Sequence, residues 1–559
     1  MTSQMDVSTK YSNKNHASRA GHQIHLSAGI FSTLNPGRFF LRNKWIIFLF
    51  GFLLFSGIIK QEPIFYDDYE HLYSNVLVDD FSFRSIAEIF QQSINDTYIP
   101  LTTLTWAVEK HIFGVSPEVS KTINILLHLL TANLVFKLGI RLKYSISIAF
   151  WAAAVFYVHP MRVESVAWIT ERKDVLFAPL YLMACLSYLD FFQAGRFRDY
   201  LTAIIFAALA ILSKPMAVSL PFILLLLEWR MNRKLSFPRA APFFLIAAMF
   251  GGITWLPSHD VIMSDGGLTI WIQCAGEYLI NFFSPIFVFP LKSFVVNTWI
   301  IAAGVILIAV MATYKPSRFG CAFFFLTIFF ILRNQVLGHD TVADRFMYLP
   351  CVGFCYFLGD ILSKIRKPIA AFFLVTLLVK MWTLVPIWND SRTFAQFVVA
   401  NNSGMENFWK YLGEKEYIEE NYVSASGYYT LCLDYAVTIE IQDACLAGRG
   451  KSYFYMDLPD YAGGDLERVN QYADDIDTLE WRGFLRLNRG DYAGAVHDLN
   501  LAVTLAPEDE NNFYNLAHAY KGLKHPFLAQ LNFQRGESLA GGDDSKKYRK
   551  NIIDNLVFH

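Results

Sequence analysis

Long apolar runs separated by short polar connectors cover residues 45–387 of this chain. They predict membrane-spanning helices at about 45–59, 122–139, 147–158, 175–192, 200–213, 216–229, 240–256, 296–313, 319–333, 346–362 and 369–387. Several runs are shorter than the roughly 20 residues that a helix perpendicular to a bilayer needs, so the ends of these spans are approximate. The pattern predicts an all-α, polytopic bundle of about eleven spans. The region 265–292 contains Pro285 and Pro290 and is predicted to be re-entrant or interfacial.

Basic residues in alternate connectors predict the orientation of the bundle. Lys and Arg are concentrated at 141–143, 195–198, 229–234, 314–318 and 363–367. Because short basic connectors remain in the cytoplasm, these connectors and the N-terminal tail are predicted to be cytoplasmic. The opposite connectors and the C-terminal part are then extracytoplasmic. Those outer connectors contain most of the unusual polar residues, which predicts a site at the outer membrane surface.

The C-terminal part has a different pattern, with small residues recurring at fixed spacing. The positions that fit a 34-residue tetratricopeptide repeat are Gly483, Ala495, Leu499, Ala502 and Pro507, followed by Ala517, Ala529, Phe533 and Gly536. An earlier copy is indicated by Gly413, Ala425 and Tyr429. The sequence therefore predicts a tetratricopeptide α-solenoid of about four repeats over residues 406–543. The alternative is a set of unrelated helical hairpins.

Composition divides the chain into parts and excludes several protein classes. The predicted parts are a disordered cytoplasmic tail at 1–43, a membrane domain at 44–390, a linker at 391–405, the repeat domain at 406–543 and a C-terminal tail at 544–559. With 54% hydrophobic and 17% charged residues, the chain is neither a disordered nor a nucleic-acid-binding protein. Of the seven cysteines, Cys432 and Cys445 could pair in an oxidising compartment. No zinc-site spacing is present, so no metal site is predicted, and a carboxylate-bound divalent cation is left open.

The outer connector at 159–174 holds an unusual concentration of ionisable residues between two apolar runs. They are His159, Arg162, Glu164, Glu171, Arg172, Lys173 and Asp174. A helix starting at Pro160 would place Glu164, Trp168 and Glu171 on one face. One reading is an interfacial connector anchored by Trp168. The other is a polar pocket that holds an anionic group through Arg172 and Lys173.

Two further outer connectors carry residues with a structural and a functional reading. Asp67 and Asp68 follow the first span, where one carboxylate could act as a base towards a hydroxyl or both could simply be solvated. Lys214 and Arg345 stand at the ends of apolar runs, where each could extend to the interface or bind a phosphate. Asp344 could be the ion-pair partner of Arg345, and Tyr348 could stack or anchor at the interface.

Five segments together resemble a known family. They are FYDDYEH at 65–71, HPMRVESVAWITERKDVL at 159–176, LSKPMAVSLPFILLLLEW at 212–229, ADRFMYLP at 343–350 and IWNDSRTF at 387–394. In this order, ahead of a repeat array, they resemble the transmembrane and tetratricopeptide-repeat O-mannosyltransferases, which are GT-C glycosyltransferases. The resemblance covers about 45–543 and suggests a bacterial relative.

The resemblance implies an enzyme that transfers a sugar, mannose in animal members, from a polyprenyl-phosphate donor to a protein hydroxyl. It implies catalytic roles for Asp67 and Asp68. We then expect Arg172, Lys173, Lys214 and Arg345 to bind the donor phosphate. The supporting pocket residues are expected to be His159, Glu164, Glu171, Asp344 and Tyr348.

No cofactor is expected beyond the lipid-linked donor, and the expected partners are the acceptor protein and the membrane, without nucleic acid. The expected location is a bacterial inner membrane, or the endoplasmic reticulum in a eukaryote, with the C-terminal domain extracytoplasmic. A non-catalytic scaffold and a transporter of lipid-linked sugar are the alternatives.

Overall fold

The apolar runs fold as helices in the computed structural model. It describes residues 44–539 apart from 66, 95–96, 233–234, 256–266, 289, 291–296, 334–341 and 470–475. The described residues form α-helices and short helical turns, with no β-strand among them, as the all-α prediction requires. The two predicted tails lie outside the described residues, as do residues 256–266 and 334–341 of two predicted outer connectors.

The membrane part consists of helices α1 to α15. Their bounds are α1 Lys44–Phe55, α2 Phe83–Ile89, α3 Pro100–Phe113, α4 Pro117–Arg141, α5 Ile146–Val158, α6 Val163–Ala167, α7 Arg172–Ala194, α8 Phe197–Ser213, α9 Leu220–Asn232, α10 Phe237–Trp255, α11 Gly267–Phe283, α12 Thr298–Thr313, α13 Arg318–Arg333, α14 Val352–Lys364 and α15 Lys367–Leu384. A helix is found in every predicted span. Helices α2 and α3 lie in the connector after the first predicted span, at about 61–120, which we call the first outer loop.

Judged by the length and apolar composition of its helices, the described part of the structure contains fewer membrane-spanning helices than the eleven that the sequence predicts. Among the described residues, three helices are long and apolar enough to cross a membrane, namely Pro117–Arg141, Arg172–Ala194 and Lys367–Trp388. The number rises to five if each of two bent helix pairs is one span. These helices indicate a membrane protein, while the count of eleven stays a prediction.

The outer connector at 159–174, which we call the central connector, contains a capped 3₁₀ turn followed by the short helix α6. The His159 ring accepts a hydrogen bond from the Met161 backbone N–H and caps a 3₁₀ turn at Pro160–Arg162. Helix α6 ends at Ala167, since the Trp168 backbone is extended. The prediction that one helix carries Glu164, Trp168 and Glu171 on a single face is therefore wrong.

Small residues allow close helix packing in the region predicted to be re-entrant or interfacial. Helix α11 occupies much of this region, and Gly276 on α11 faces Gly304 on α12. A Cβ atom added at Gly276 would lie 3.0 Å from the Gly304 Cα. Any larger residue at either position would push the two helices apart.

The C-terminal part is a succession of helices, each packed against the next. Their bounds are α16 Ser391–Asn401, α17 Glu406–Ile418, α18 Tyr422–Tyr435, α19 Ile439–Tyr455, α20 Pro459–Arg468, α21 Ile476–Asn488, α22 Tyr492–Leu505, α23 Glu510–Gly522 and α24 Pro526–Leu539. Helix α16 lies in the stretch predicted as a linker. The Tyr429 ring packs against both Gly413 and Gly448, where a larger residue would meet the ring. This contact explains the small residue at the repeat position Gly413.

A disulfide joins Cys432 on α18 to Cys445 on α19. The five other cysteines are buried as free thiols. We expect Cys432 and Cys445 to resist alkylation in a purified, denatured, unreduced sample and to react after reduction, because extracytoplasmic thiols meet an oxidising compartment. Mass spectrometry of the labelled peptides measures this. Free thiols at both positions would contradict the predicted orientation of this domain.

Candidate active site at the outer connectors

The two adjacent aspartates of the first outer loop have different surroundings. Asp68 is buried, and its Oδ1 accepts hydrogen bonds from the Thr170 backbone N–H at 2.9 Å and the Thr170 hydroxyl at 2.6 Å. Its Oδ2 accepts from the Ile64 N–H at 2.8 Å. Asp68 therefore fastens the first loop to the central connector.

Asp67 is only partly buried, and it lies close enough to Lys173 and Arg345 for their charges to act on it. Burial raises the pKa of Asp67 to about 6, against the lowering effect of Lys173 and Arg345. A carboxylate with this pKa is largely ionised at neutral pH and can still accept a proton, which suits a general base. Of the pair, Asp67 has the properties that base chemistry requires.

Three of the predicted phosphate-binding cations converge on one carboxylate, that of Glu171. Its Oε1 lies 3.1 Å from Lys173 Nζ and 3.4 Å from Arg345 Nε, and its Oε2 lies 3.7 Å from Lys214 Nζ. Burial opposes the ionisation of Glu171, but the three cations together hold its pKa well below the usual range. The structure thus brings together connectors that are far apart in sequence.

Two other carboxylates and two aromatic rings complete this cluster. Arg345 Nη1 donates to Glu164 Oε1 at 2.6 Å, and Lys214 is ion-paired with Asp174. The Arg345 guanidinium lies 5.4 Å from the Trp168 ring centroid and 5.0 Å from that of Phe346. Ring faces next to a cation are favourable in a site with little water. We name Asp67, Glu164, Glu171, Lys173, Asp174, Lys214 and Arg345 the ionic cluster.

Arg172 points away from the ionic cluster. Its Nη2 donates to Glu109 Oε2 and to the Ser120 carbonyl oxygen, each at 2.9 Å, and its Nε donates to Asn124 Oδ1 at 2.5 Å. These bonds tie α7 to α3 and α4. Arg172 therefore has protein partners for several of its N–H groups, and its phosphate-binding role stays a prediction.

The other predicted pocket residues lie next to the cluster as parts of the scaffold. His159 Nε2 hydrogen-bonds the Phe282 carbonyl oxygen at 2.9 Å. The Tyr348 hydroxyl hydrogen-bonds His128 Nδ1 at 2.7 Å, inside the bundle. Asp344 is buried at the start of the 3₁₀ turn Asp344–Met347, which carries Arg345.

Sequence reasoning missed two residues that lie outside the five family-like segments and hold Arg172 in place. Glu109 on α3 and Asn124 on α4 accept hydrogen bonds from Arg172, and both are buried. A lone carboxylate on an apolar helix face was the available signal for Glu109. Within the described ranges, no group of three or more His, Cys, Asp or Glu residues could hold a metal ion.

Breaking the buried Arg172–Glu109 pair should destabilise the protein. We expect Arg172→Gln to cost about 3–5 kcal/mol of stability, since it leaves a buried carboxylate without its partner. The neighbouring Lys173→Gln is the matched control and should cost less, because Lys214 and Arg345 remain beside Glu171. Thermal unfolding of the purified variants in detergent measures both. An unchanged unfolding temperature for Arg172→Gln would contradict this role.

Comparisons with known proteins agree with the motif resemblance. Residues 100–255 match the dolichyl-phosphate-mannose-protein mannosyltransferase family model. The human protein O-mannosyl-transferase TMTC1 is 34% identical over 114 residues, which is 20% of this chain and 13% of the human protein. The Caenorhabditis elegans protein O-mannosyl-transferase F38B6.6 is 28% identical over 158 residues, or 26% of this chain and 22% of that protein.

The Drosophila melanogaster protein O-mannosyl-transferase Tmtc1 is 30% identical over 120 residues, or 22% of this chain and 14% of that protein. The alignments thus span less than a quarter of these three relatives' lengths. The family match includes the 159–174 connector and Lys214, and therefore five of the seven members of the ionic cluster. The comparisons thereby confirm the resemblance to the protein O-mannosyltransferases.

Proposed function

We propose that the chain is an integral membrane glycosyltransferase that moves a sugar from a polyprenyl-phosphate donor to a protein hydroxyl on the extracytoplasmic side. The convergence of Lys173, Lys214 and Arg345 beside Asp67 is the observation that carries this proposal. It combines cations for a phosphate with a carboxylate that can take a proton. The names of the relatives support mannose as the sugar and a protein as the acceptor.

In this proposal, the donor phosphate shares the three cations with Glu171. The acceptor hydroxyl oxygen forms a bond to the anomeric carbon while the bond from that carbon to the phosphate oxygen breaks. Asp67 accepts the hydroxyl proton, and the electron pair leaves with the phosphate. Lys173, Lys214 and Arg345 stabilise the charge that accumulates on this leaving group. Positioning of the two substrates supplies much of the remaining rate.

The C-terminal helices would recruit the acceptor protein. Their sequential packing, with contacts also between α17 and α19 and between α21 and α23, is what a tetratricopeptide array requires. The disulfide supports an extracytoplasmic position, on the same side as the ionic cluster.

The ionic cluster favours an enzyme over the two alternatives. A scaffold would have no use for a half-buried carboxylate close to Lys173 and Arg345. A transporter of lipid-linked sugar needs polar residues along a route across the bilayer. The clustered residues instead come from connectors predicted to lie at one face.

Replacing Asp67 should abolish most of the transfer activity. We expect Asp67→Asn to lower the rate by about two to four orders of magnitude, the usual contribution of a positioned base. Mass spectrometry of O-glycosylated extracytoplasmic proteins, in a deletion strain carrying each variant, measures this. Below about pH 6, the wild-type rate should fall as Asp67 becomes protonated.

Asp68→Asn is the matched control for that experiment. It keeps the size of the side chain but weakens the hydrogen bonds from Thr170 and Ile64, so it should lower stability along with activity. Wild-type glycosylation in the Asp67→Asn strain would refute the assignment of the base.

The phosphate site predicts a separate result in binding. Lys173→Gln and Arg345→Gln should each weaken the binding of polyprenyl-phosphate mannose by about tenfold or more, because each removes a charge-assisted hydrogen bond. Binding to purified protein in nanodiscs measures this, and Arg84→Gln, an exposed site on α2, is the control. Unchanged binding in Lys173→Gln, Lys214→Gln and Arg345→Gln would rule out the phosphate site.

A further inference from the structure

The segment that leads to Asp67 is fastened to the chain that leads into the C-terminal helices. Gln61 Nε2 donates to the Val385 carbonyl oxygen and to Asn389 Oδ1, each at 2.9 Å. The Glu62 N–H donates to the Asn389 carbonyl oxygen at 2.8 Å. These bonds join the first outer loop to the end of the last membrane helix, more than 300 residues away.

Ser391 continues this attachment and places Phe65 against the C-terminal domain. The Ser391 hydroxyl accepts from the Phe65 N–H at 3.0 Å and donates to the Pro63 carbonyl oxygen at 3.1 Å. The Phe65 ring stacks on Tyr411 of α17, with centroids 3.8 Å apart and planes 6° apart. It also contacts Phe408 edge-on at 5.5 Å. The first C-terminal helix pair therefore holds the residue two positions before Asp67.

Asp67 lies between two anchors of different kinds. On its C-terminal side, Asp68 is held by Thr170 of the central connector. On its N-terminal side, Phe65 is held by Tyr411 and Ser391. The backbone at Asp67 can shift only if one of these anchors opens.

An aromatic chain links the same helix to the ionic cluster by a second route. The Trp168 ring, which faces Arg345, lies 5.5 Å from Trp388, and Trp388 lies 4.7 Å from Phe394 on α16. Phe394 in turn contacts Phe408 at 5.8 Å. These packed rings form a contiguous network between α17 and the ionic cluster.

We propose that Tyr411 is a positioning residue for Asp67, so that the first helix of the C-terminal array completes the active site. The inference rests on the proposed function, in which Asp67 is the base. It assigns the C-terminal domain a role beyond recruiting an acceptor, since its attachment sets the geometry of the base. Movement of α17 when an acceptor binds would then alter the placement of Asp67.

Hydrogen–deuterium exchange and glycosylation together test the proposal in the full-length protein. The variant is Tyr411→Ala, and Tyr411→Phe keeps a ring for the stack. The matched control is Tyr422→Ala, because Tyr422 stacks on Tyr455 at 4.7 Å elsewhere in the same array. Backbone exchange of residues 64–73 is measured in nanodiscs, and binding of polyprenyl-phosphate mannose is measured on the same samples. O-glycosylation is measured in a deletion strain that carries each variant.

In Tyr411→Ala, we expect the backbone amides of residues 64–73 to exchange about three- to tenfold faster than in the wild type. The reason is that the stacked Phe65–Tyr411 pair stabilises this segment against local opening. Glycosylation should fall by about tenfold or more, since a displaced base loses most of its contribution, while donor binding stays unchanged. Tyr411→Phe should restore both, and Tyr422→Ala should alter neither.

The proposal would be overturned if Tyr411→Ala had the same amide exchange rate over residues 64–73, or the same level of glycosylation, as Tyr422→Ala. Weaker donor binding in Tyr411→Ala would also overturn it, because it would indicate general damage to the site. Failure of the proposed function is recognised separately, by a strain with Asp67→Asn that still glycosylates its proteins, whatever the exchange of residues 64–73 shows.

Discussion

Charged groups buried at a membrane face must be paired within the protein, and this requirement organises the outer connectors. Glu171 is buried in the central connector, and it is stable as an anion only because Lys173, Lys214 and Arg345 surround it. Each cation is in turn costly without its carboxylate. The three connectors that supply these cations are therefore held together, and the ionic cluster follows from the cost of burying charge.

The same constraint separates two chemically identical neighbours. Asp68 is satisfied by Thr170 and Ile64 and serves as a fastening. Asp67, one residue away, is close to Lys173 and Arg345, and burial raises its pKa to about 6 against the effect of these cations. The two side chains have different partners, so one carboxylate can hold the backbone while the other is available to a substrate.

The C-terminal helices and the segment that leads into them are attached directly to the first outer loop. Asn389 and Ser391 bind the first loop by hydrogen bonds, and Tyr411 stacks on Phe65 beside it. The stacked rings of Phe65 and Tyr411 form a contact between the first outer loop and the C-terminal helices that does not depend on charge. Asp67 is thereby held between a polar network in the 159–174 connector and an aromatic one in the C-terminal helices.

The sequence by itself determined where the helices lie, because apolar runs and cap residues act locally. It also singled out a larger set of candidate site residues, without separating those that meet from those that do not: Asp67, Asp68, Arg172, Lys173, Lys214 and Arg345. It did not determine that α6 ends at Ala167, that Arg172 turns towards Glu109, or which aspartate is fastened. The last two outcomes depend on contacts between residues 63 and 102 positions apart in the sequence. Periodicity carries no information about which distant connectors meet, since that is decided only when the helices pack and their buried charges find partners.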